Sequence, residues 1–252
     1  MDLGLKDRVY IVSGASRGLG HATAAQLVAE GARVVLCSRE ESRAVAAAEA
    51  LGDTDRAVGM AGDLADPEVA DRLVATALER FGRLDGTVIS VGGPPPGPAA
   101  TVEDEQWRSA FESVFLGPLR LARAVLASGG DQAVTFVLSS SVRSPIAGLA
   151  ISNGLRPGLA MAAKTLADEY GAAGSRVNVV LPGRIDTDRL RELDSTRGDP
   201  ATARAGAEAT IPLGRYGTPE EFGTVTAFVT SPAASYLSGT AISVDGGATR
   251  VL

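Results

Sequence analysis

The run Ser13-Gly14-Ala15-Ser16-Arg17-Gly18-Leu19-Gly20 has the residue types and spacing to cradle a phosphate. Gly14 allows a tight turn, Gly18 lets the backbone approach a phosphate oxygen, and Gly20 lets a following helix pack closely on a sheet. A helix opening there offers free N–H groups and a partial positive charge to a pyrophosphate, so Ser16 and Leu19 join the glycines as candidate contacts. The next strand ends Cys37-Ser38-Arg39. An acidic residue at that point would hold a ribose 2′-hydroxyl, and none is there. Arg17 and Arg39 are instead suited to flank a 2′-phosphate, because a guanidinium donates two parallel hydrogen bonds. The expectation is NADP(H) in preference to NAD(H), against two merely solvated arginines. Asp63 and Leu64, after the third strand, are candidates for the adenine end; a turn-capping Asp63 is the plainer alternative.

These residues need elements to hold them. Short apolar runs at 9–12, 33–37, 56–60, 86–91, 133–138, 176–181 and 241–244 read as strands. Helical patterns cover 21–30, 40–51, 67–81 with Asp66 as cap, 102–127, about 154–171 and 219–230. Alternation of this kind, with strands that are apolar on both faces, predicts an α/β fold. The expected form is a single Rossmann-type doubly wound domain, 1–252, with a seven-stranded parallel sheet. The least regular stretch is 188–210, rich in Arg, Asp, Ala and Gly; a lid over the strand ends, spanning about 188–212, is expected there.

The net charge of −6 argues against nucleic acid as a partner. No run is long and apolar enough to predict a membrane span. A single cysteine, Cys37, and the absence of an apolar signal core in the first residues predict a cytoplasmic chain. With His21 as the only histidine, neither a Ser-His-Asp hydrolase nor a multi-histidine metal site is expected.

Along almost its whole length the chain resembles the short-chain dehydrogenases/reductases, nearest their 3-oxoacyl-carrier-protein-reductase-like branch. The glycine loop carries part of the resemblance. The segment Arg176-Val177-Asn178-Val179-Val180-Leu181-Pro182-Gly183-Arg184-Ile185-Asp186-Thr187 is similar to the family's sixth strand and its proline–glycine turn beside the nicotinamide. Ile211-Pro212-Leu213-Gly214-Arg215, Thr218-Pro219-Glu220-Glu221 and Asp245-Gly246-Gly247 also match. The resemblance implies dinucleotide contacts from Gly92, Pro182, Gly183, Ile185 and Thr187, a small-molecule carbonyl or alcohol substrate, 3-oxoacyl groups among the candidates, and a homotetramer or homodimer.

The family places a Tyr thirteen residues after its catalytic Ser and a Lys four later. Here Ser139 is followed at those places by Ser152 and Arg156. The family's Glu, thirteen residues beyond the Lys, matches Glu169, and its Asn nine later matches Asn178, so the frame is intact. The helix position that usually holds a catalytic Asn is Val114, three before Gly117. The family's role for the pair is to protonate the substrate oxygen and to hold the ribose. A serine hydroxyl is a poor acid, and arginine stays protonated at neutral pH, but Arg156 can still hydrogen-bond a ribose hydroxyl and so is also a candidate cofactor contact. Two readings stay open. Ser139, Ser152 and Arg156 form an oxyanion-binding set with water as proton source, or they belong to a sensor or partner subunit that only holds the nucleotide. The plainer alternative is that Ser152 is only a helix cap and Arg156 only a surface charge or a structural tie. Pro157 predicts that the helix begins close to it. Arg143, Arg156 and Arg184 would face one cleft and favour an anionic ligand, or be unrelated surface arginines. The Gly92–Pro98 loop would stiffen the same mouth.

Overall fold

The structure is a computed structural model and describes residues 1–195 and 199–251. Seven strands form one sheet: β1 (Val9–Ser13), β2 (Arg33–Ser38), β3 (Ala57–Ala61), β4 (Gly86–Ser90), β5 (Ala133–Val137), β6 (Arg176–Pro182) and β7 (Ala241–Val244). Their order is β3-β2-β1-β4-β5-β6-β7 and every pairing is parallel. Helices α1 (Gly18–Ala29), α2 (Glu41–Glu49), α3 (Val69–Phe81), α4 (Asp104–Ala110), α5 (Gly117–Ala127), α6 (Ala150–Tyr170), α7 (Asp188–Ser195), α8 (Pro200–Glu208) and α9 (Pro219–Thr230) make the connections.

Successive residues of a strand point to opposite faces, and here both faces are buried. In β1, Val9 and Ile11 pack with Leu73 of α3, Leu121 of α5 and Leu159 of α6. Tyr10 and Val12 pack on the other face with Leu27 of α1, Ala47 of α2 and Phe222 of α9. The strands are therefore continuous apolar runs rather than alternating ones, and the molecule has three layers. Strand order reverses between β1 and β4, which opens a crevice outside the carboxyl ends of the strands. No helix among the described residues is long and apolar enough to cross a membrane.

Several expected boundaries shift for identifiable reasons. Helix α1 begins at Gly18 rather than residue 21. Helix α3 begins at Val69, and Asp66 is not its cap; Oδ1 of Asp66 instead accepts from the Glu68 backbone N–H in a turn before the helix. The expected helix over 102–127 contains a π-helical stretch, Phe111–Leu116, between α4 and α5. Helix α6 begins at Ala150, so Pro157 lies inside it rather than in its first turn. One missing backbone N–H is outweighed there by burial of Ile151, Leu159, Ala163 and Leu166. The irregular-looking 188–210 stretch contains two helices. Short-range chemistry stabilises them: Asp199 caps α8 through the Thr202 N–H, and Arg191 and Arg204 both bind Asp186. An apolar periodicity is not what forms them. The expected lid includes residues 196–198, which lie outside the described residues.

Candidate active site

The crevice is built first by β1 and β4. Ser13 Oγ donates to the Ser90 carbonyl and accepts the Ser90 N–H, tying the two strand ends together. Gly14 follows with φ +59°, and a Cβ there would lie 2.5 Å from the Ser90 carbonyl oxygen. Only glycine fits both conditions. A Cβ on Gly20 would meet the Gly14 carbonyl at 2.5 Å, so α1 can start directly on the turn. No side chain caps α1, and its first turn holds no acidic residue. Its leading N–H groups are therefore left unneutralised by side chains and suit an anion. The loop thus fits the pyrophosphate of a dinucleotide.

The adenine side fits as well. Ser38 is buried and bonds the Glu40 carbonyl through its hydroxyl. Arg39 is exposed and has no ion pair among the described residues. Arg17, by contrast, reaches Asp188 and Glu192 of α7, at 3.8 and 4.0 Å. Asp63 uses one oxygen to accept the Ala65 N–H, as a turn-capping residue would, and the other is free of any bond. Leu64 is buried, its carbonyl against Gly117. His21 faces the same loop, its Nδ1 3.2 Å from the Ala15 carbonyl.

On the nicotinamide side, Gly92 is open to space. The Gly183 N–H donates to the Val244 carbonyl, which fixes the Pro182–Gly183 turn on β7. Ile185 is buried beside Gly217, and Thr187 caps α7 by accepting the Leu190 N–H. Thr187 Cγ2 lies 3.7 Å from where a Gly18 Cβ would sit, so the segment before α7 meets the phosphate loop. The Gly97–Leu149 bridge staples the glycine–proline loop to the segment before α6. Asn153 then holds that segment by donating to the Ile146 carbonyl and accepting its N–H.

Ser139 ends β5. Its Oγ accepts the Ser141 N–H, leaving its own O–H without an acceptor among the described residues. Ser152 is 5 % exposed and bonds Ser141 Oγ at 3.1 Å, so it is not a helix cap; the cap position of α6 is Leu149. Ser141 is the residue that the sequence did not single out. Nothing in a Ser139-Ser140-Ser141 run distinguishes its members until the turn after β5 aims one hydroxyl at α6.

Of the two plainer readings of Arg156, a surface charge or a structural tie, its burial excludes the first. It is 5 % exposed, and its Nη1 donates to the Leu138 carbonyl at 2.6 Å and to the Val137 carbonyl at 3.4 Å. Burial lowers its pKa to about 10, which still leaves it a cation at neutral pH. Among the described residues no carboxylate pairs with it. The only fully buried, unpartnered side-chain polar atom among them is Gln132 Oε1, so the guanidinium's other nitrogens are not sealed in the core. The three arginines do not converge as free cations. Arg143 is exposed and donates to the Ala241 carbonyl. Arg184 binds buried Asp194 and the Tyr216 hydroxyl. Tyr216 donates to the same carboxylate, and its pKa is raised by burial and by that bond.

A doubly wound sheet with a glycine turn and an uncapped helix at its switch point defines a dinucleotide-binding protein. The chain matches over residues 14–249 a family model described as enoyl-(acyl carrier protein) reductase. It belongs to the short-chain dehydrogenase/reductase family, in the branch of FabG-like 3-oxoacyl-carrier-protein reductases. The short-chain reductase protein NovJ of Streptomyces niveus is 34% identical to it, covering 96% of this chain and 94% of NovJ. The 3-oxoacyl-[acyl-carrier-protein] reductase FabG of Vibrio cholerae is 31% identical over 97% of this chain and 98% of its own. The L-sorbose reductase of Gluconobacter frateurii, solved with NADPH and L-sorbose, superposes over the full length of both chains with a TM-score of 0.91 at 31% identity.

Proposed function

We propose that the chain is an NADP(H)-linked oxidoreductase acting on a carbonyl or alcohol substrate, 3-oxoacyl groups among the candidates, through a site in which Ser139 meets the substrate oxygen. The observation that carries this reading is the Ser139 hydroxyl. One of its lone pairs accepts the Ser141 N–H, and its proton has no acceptor among the described residues, which leaves it for a substrate oxygen. The dinucleotide, when bound, supplies or accepts the hydride. Gly14, Gly18, Gly20 and the α1 amides would hold its pyrophosphate, and Arg39, which has no ion pair among the described residues, favours the 2′-phosphate. FabG-like relatives and the NADPH-bound L-sorbose reductase support NADP(H) use.

Ser152 supports Ser139 indirectly, through Ser141. Arg156 holds the last carbonyls of β5 and so positions Ser139, and its positive charge favours a developing oxyanion. Neither is an acid near neutral pH, so the proton comes from water. Residues 188–212 serve as the substrate lid. Exposed Phe111, stacked on Phe115 before α5, and exposed Met161 of α6 suit packing of these helices between subunits of a homotetramer or homodimer. A cytoplasmic location fits a buried, unpaired Cys37.

A second reading has its own support. Ser152 is buried against Ser141 and Val114 replaces the usual polar residue, so neither of these positions supplies a proton donor in place of the family's tyrosine. A nucleotide-binding sensor needs none. The experiment is a screen of ketones and 3-oxoacyl thioesters, following absorbance of the reduced nicotinamide. Turnover that falls about 10²-fold or more in Ser139→Ala supports the oxidoreductase. Unchanged turnover in that variant sinks the site, and tight NADPH binding with no turnover on any substrate favours the sensor.

A further inference from the structure

The phosphate loop and the lid helix are joined by a contact that cofactor binding alone does not explain. Arg17 is the residue before α1, with extended backbone, and its side chain turns away from the loop toward α7. Its Nη1 lies 3.8 Å from Asp188 Oδ2 and 4.0 Å from Glu192 Oε1. The two acids are four residues apart, hence on one face of the helix. Each has a second cation on α7 itself: Asp188 pairs with Arg191 at 3.0 Å and Glu192 with Arg189 at 3.6 Å. They can therefore release Arg17 without being left unpaired. The same helix reaches the opposite wall, where the Arg189 guanidinium comes within 3.7 Å of the Cβ position of Gly93. Helix α7 thus lies across the crevice from the β1 loop to the β4 loop. Its far end is fixed, because Asp194 is buried on Arg184 and Tyr216.

We propose that Asp188 and Glu192 set cofactor selectivity by competing with the 2′-phosphate of NADPH for Arg17. This rests on the NADP(H) reading above. The three side chains are 54–59% exposed and the pairs are long, so the lid contact is weak and readily exchanged. A phosphate offers Arg17 shorter, bidentate bonds and more charge. Until it does so, the two carboxylates hold the arginine and add negative charge near the phosphate's place. NADH makes no such demand on Arg17 and leaves the lid contact in place.

The test is titration of NADPH and NADH, by the fluorescence of Trp107 or by calorimetry, into the wild-type chain, Asp188→Asn/Glu192→Gln, Glu192→Gln alone, and Arg17→Ala. The double variant is expected to bind NADPH about 3- to 10-fold tighter, with NADH affinity changed by less than about twofold, and the gain should shrink in high salt. Placing both neutral substitutions in the Arg17→Ala background should give no gain, since the effect acts through that side chain. Unchanged or weaker NADPH binding in the double variant, with native circular dichroism, overturns the proposal while leaving the NADP(H) reading intact. If the double variant does not fold, Glu192→Gln alone decides by the same criterion, with a smaller gain. If the wild-type chain binds neither dinucleotide, both readings fall.

Discussion

Cys37 and Arg156 differ from their ordinary chemistry for the same reason, which is burial. Cys37 is 1% exposed and donates weakly to the Gly62 carbonyl. Burial, aided by the negative charge of Asp63, pushes its thiol up to about 12. The thiolate is the nucleophile, so the folded chain should resist thiol reagents at about pH 8 and react fully once unfolded. Rapid labelling of the native protein by a disulfide reagent would contradict this. Arg156 was legible as a substitution for the family's lysine. Its burial and its bonds to the Val137 and Leu138 carbonyls were not, because they depend on how far α6 extends before it. The same extension makes Ser152 an interior helix residue bonded to Ser141.

At the level of elements, the bounds of α9 were legible, whereas the one cap expected from the sequence, Asp66, is not the cap of α3. Thr218-Pro219-Glu220-Glu221 forms a capping box at the start of α9: Thr218 accepts the Glu221 N–H, and Glu221 accepts the Thr218 N–H. Arg215 adds two bonds to the Glu221 carboxylate. Hydrogen bonds from Arg215 and from the Thr218 backbone lower the carboxyl pKa from its ordinary 4.5 to about 2. The folded value is depressed, so this contribution to stability is complete above about pH 4.5 and is lost as pH falls toward 2. Glu221→Gln should therefore unfold at lower urea near neutrality, and its midpoint should change less than the wild type's between those pH values. Parallel wild-type and variant curves would refute the link. Helices α7 and α8 were unreadable by periodicity because ion pairs and one Asp cap hold them. The start of α6 was misread because proline is disfavoured in a helix interior only by a few kcal/mol, which burial of the surrounding apolar side chains exceeds.

For the whole molecule, the strand order reverses between β1 and β4 and opens a crevice at the carboxyl ends of the strands, where the proposed site lies. A ligand that fills it binds only the folded state and stabilises by mass action. NADPH at about 100 times its dissociation constant should add about 2.7 kcal/mol, and hence raise the melting temperature by roughly 5–10 °C. NADH at the same concentration should give a smaller rise, because Arg39 then has no 2′-phosphate to bind. Equal shifts from both cofactors, measured by differential scanning fluorimetry, would remove the selectivity argument.

Read by itself, the sequence determined the seven strands, the glycine turn and the frame that sets Ser139, Ser152 and Arg156 at family positions. It could do so because strand burial, glycine stereochemistry and residue spacing are local properties. The tertiary structure alone decided what those side chains face. Arg156 lies under the end of β5, Ser141 stands between Ser139 and Ser152, and Arg17 is shared between the phosphate loop and α7. Each of these depends on contacts between segments far apart or differently folded along the chain. Charge and hydroxyl chemistry are set by those neighbours rather than by residue type.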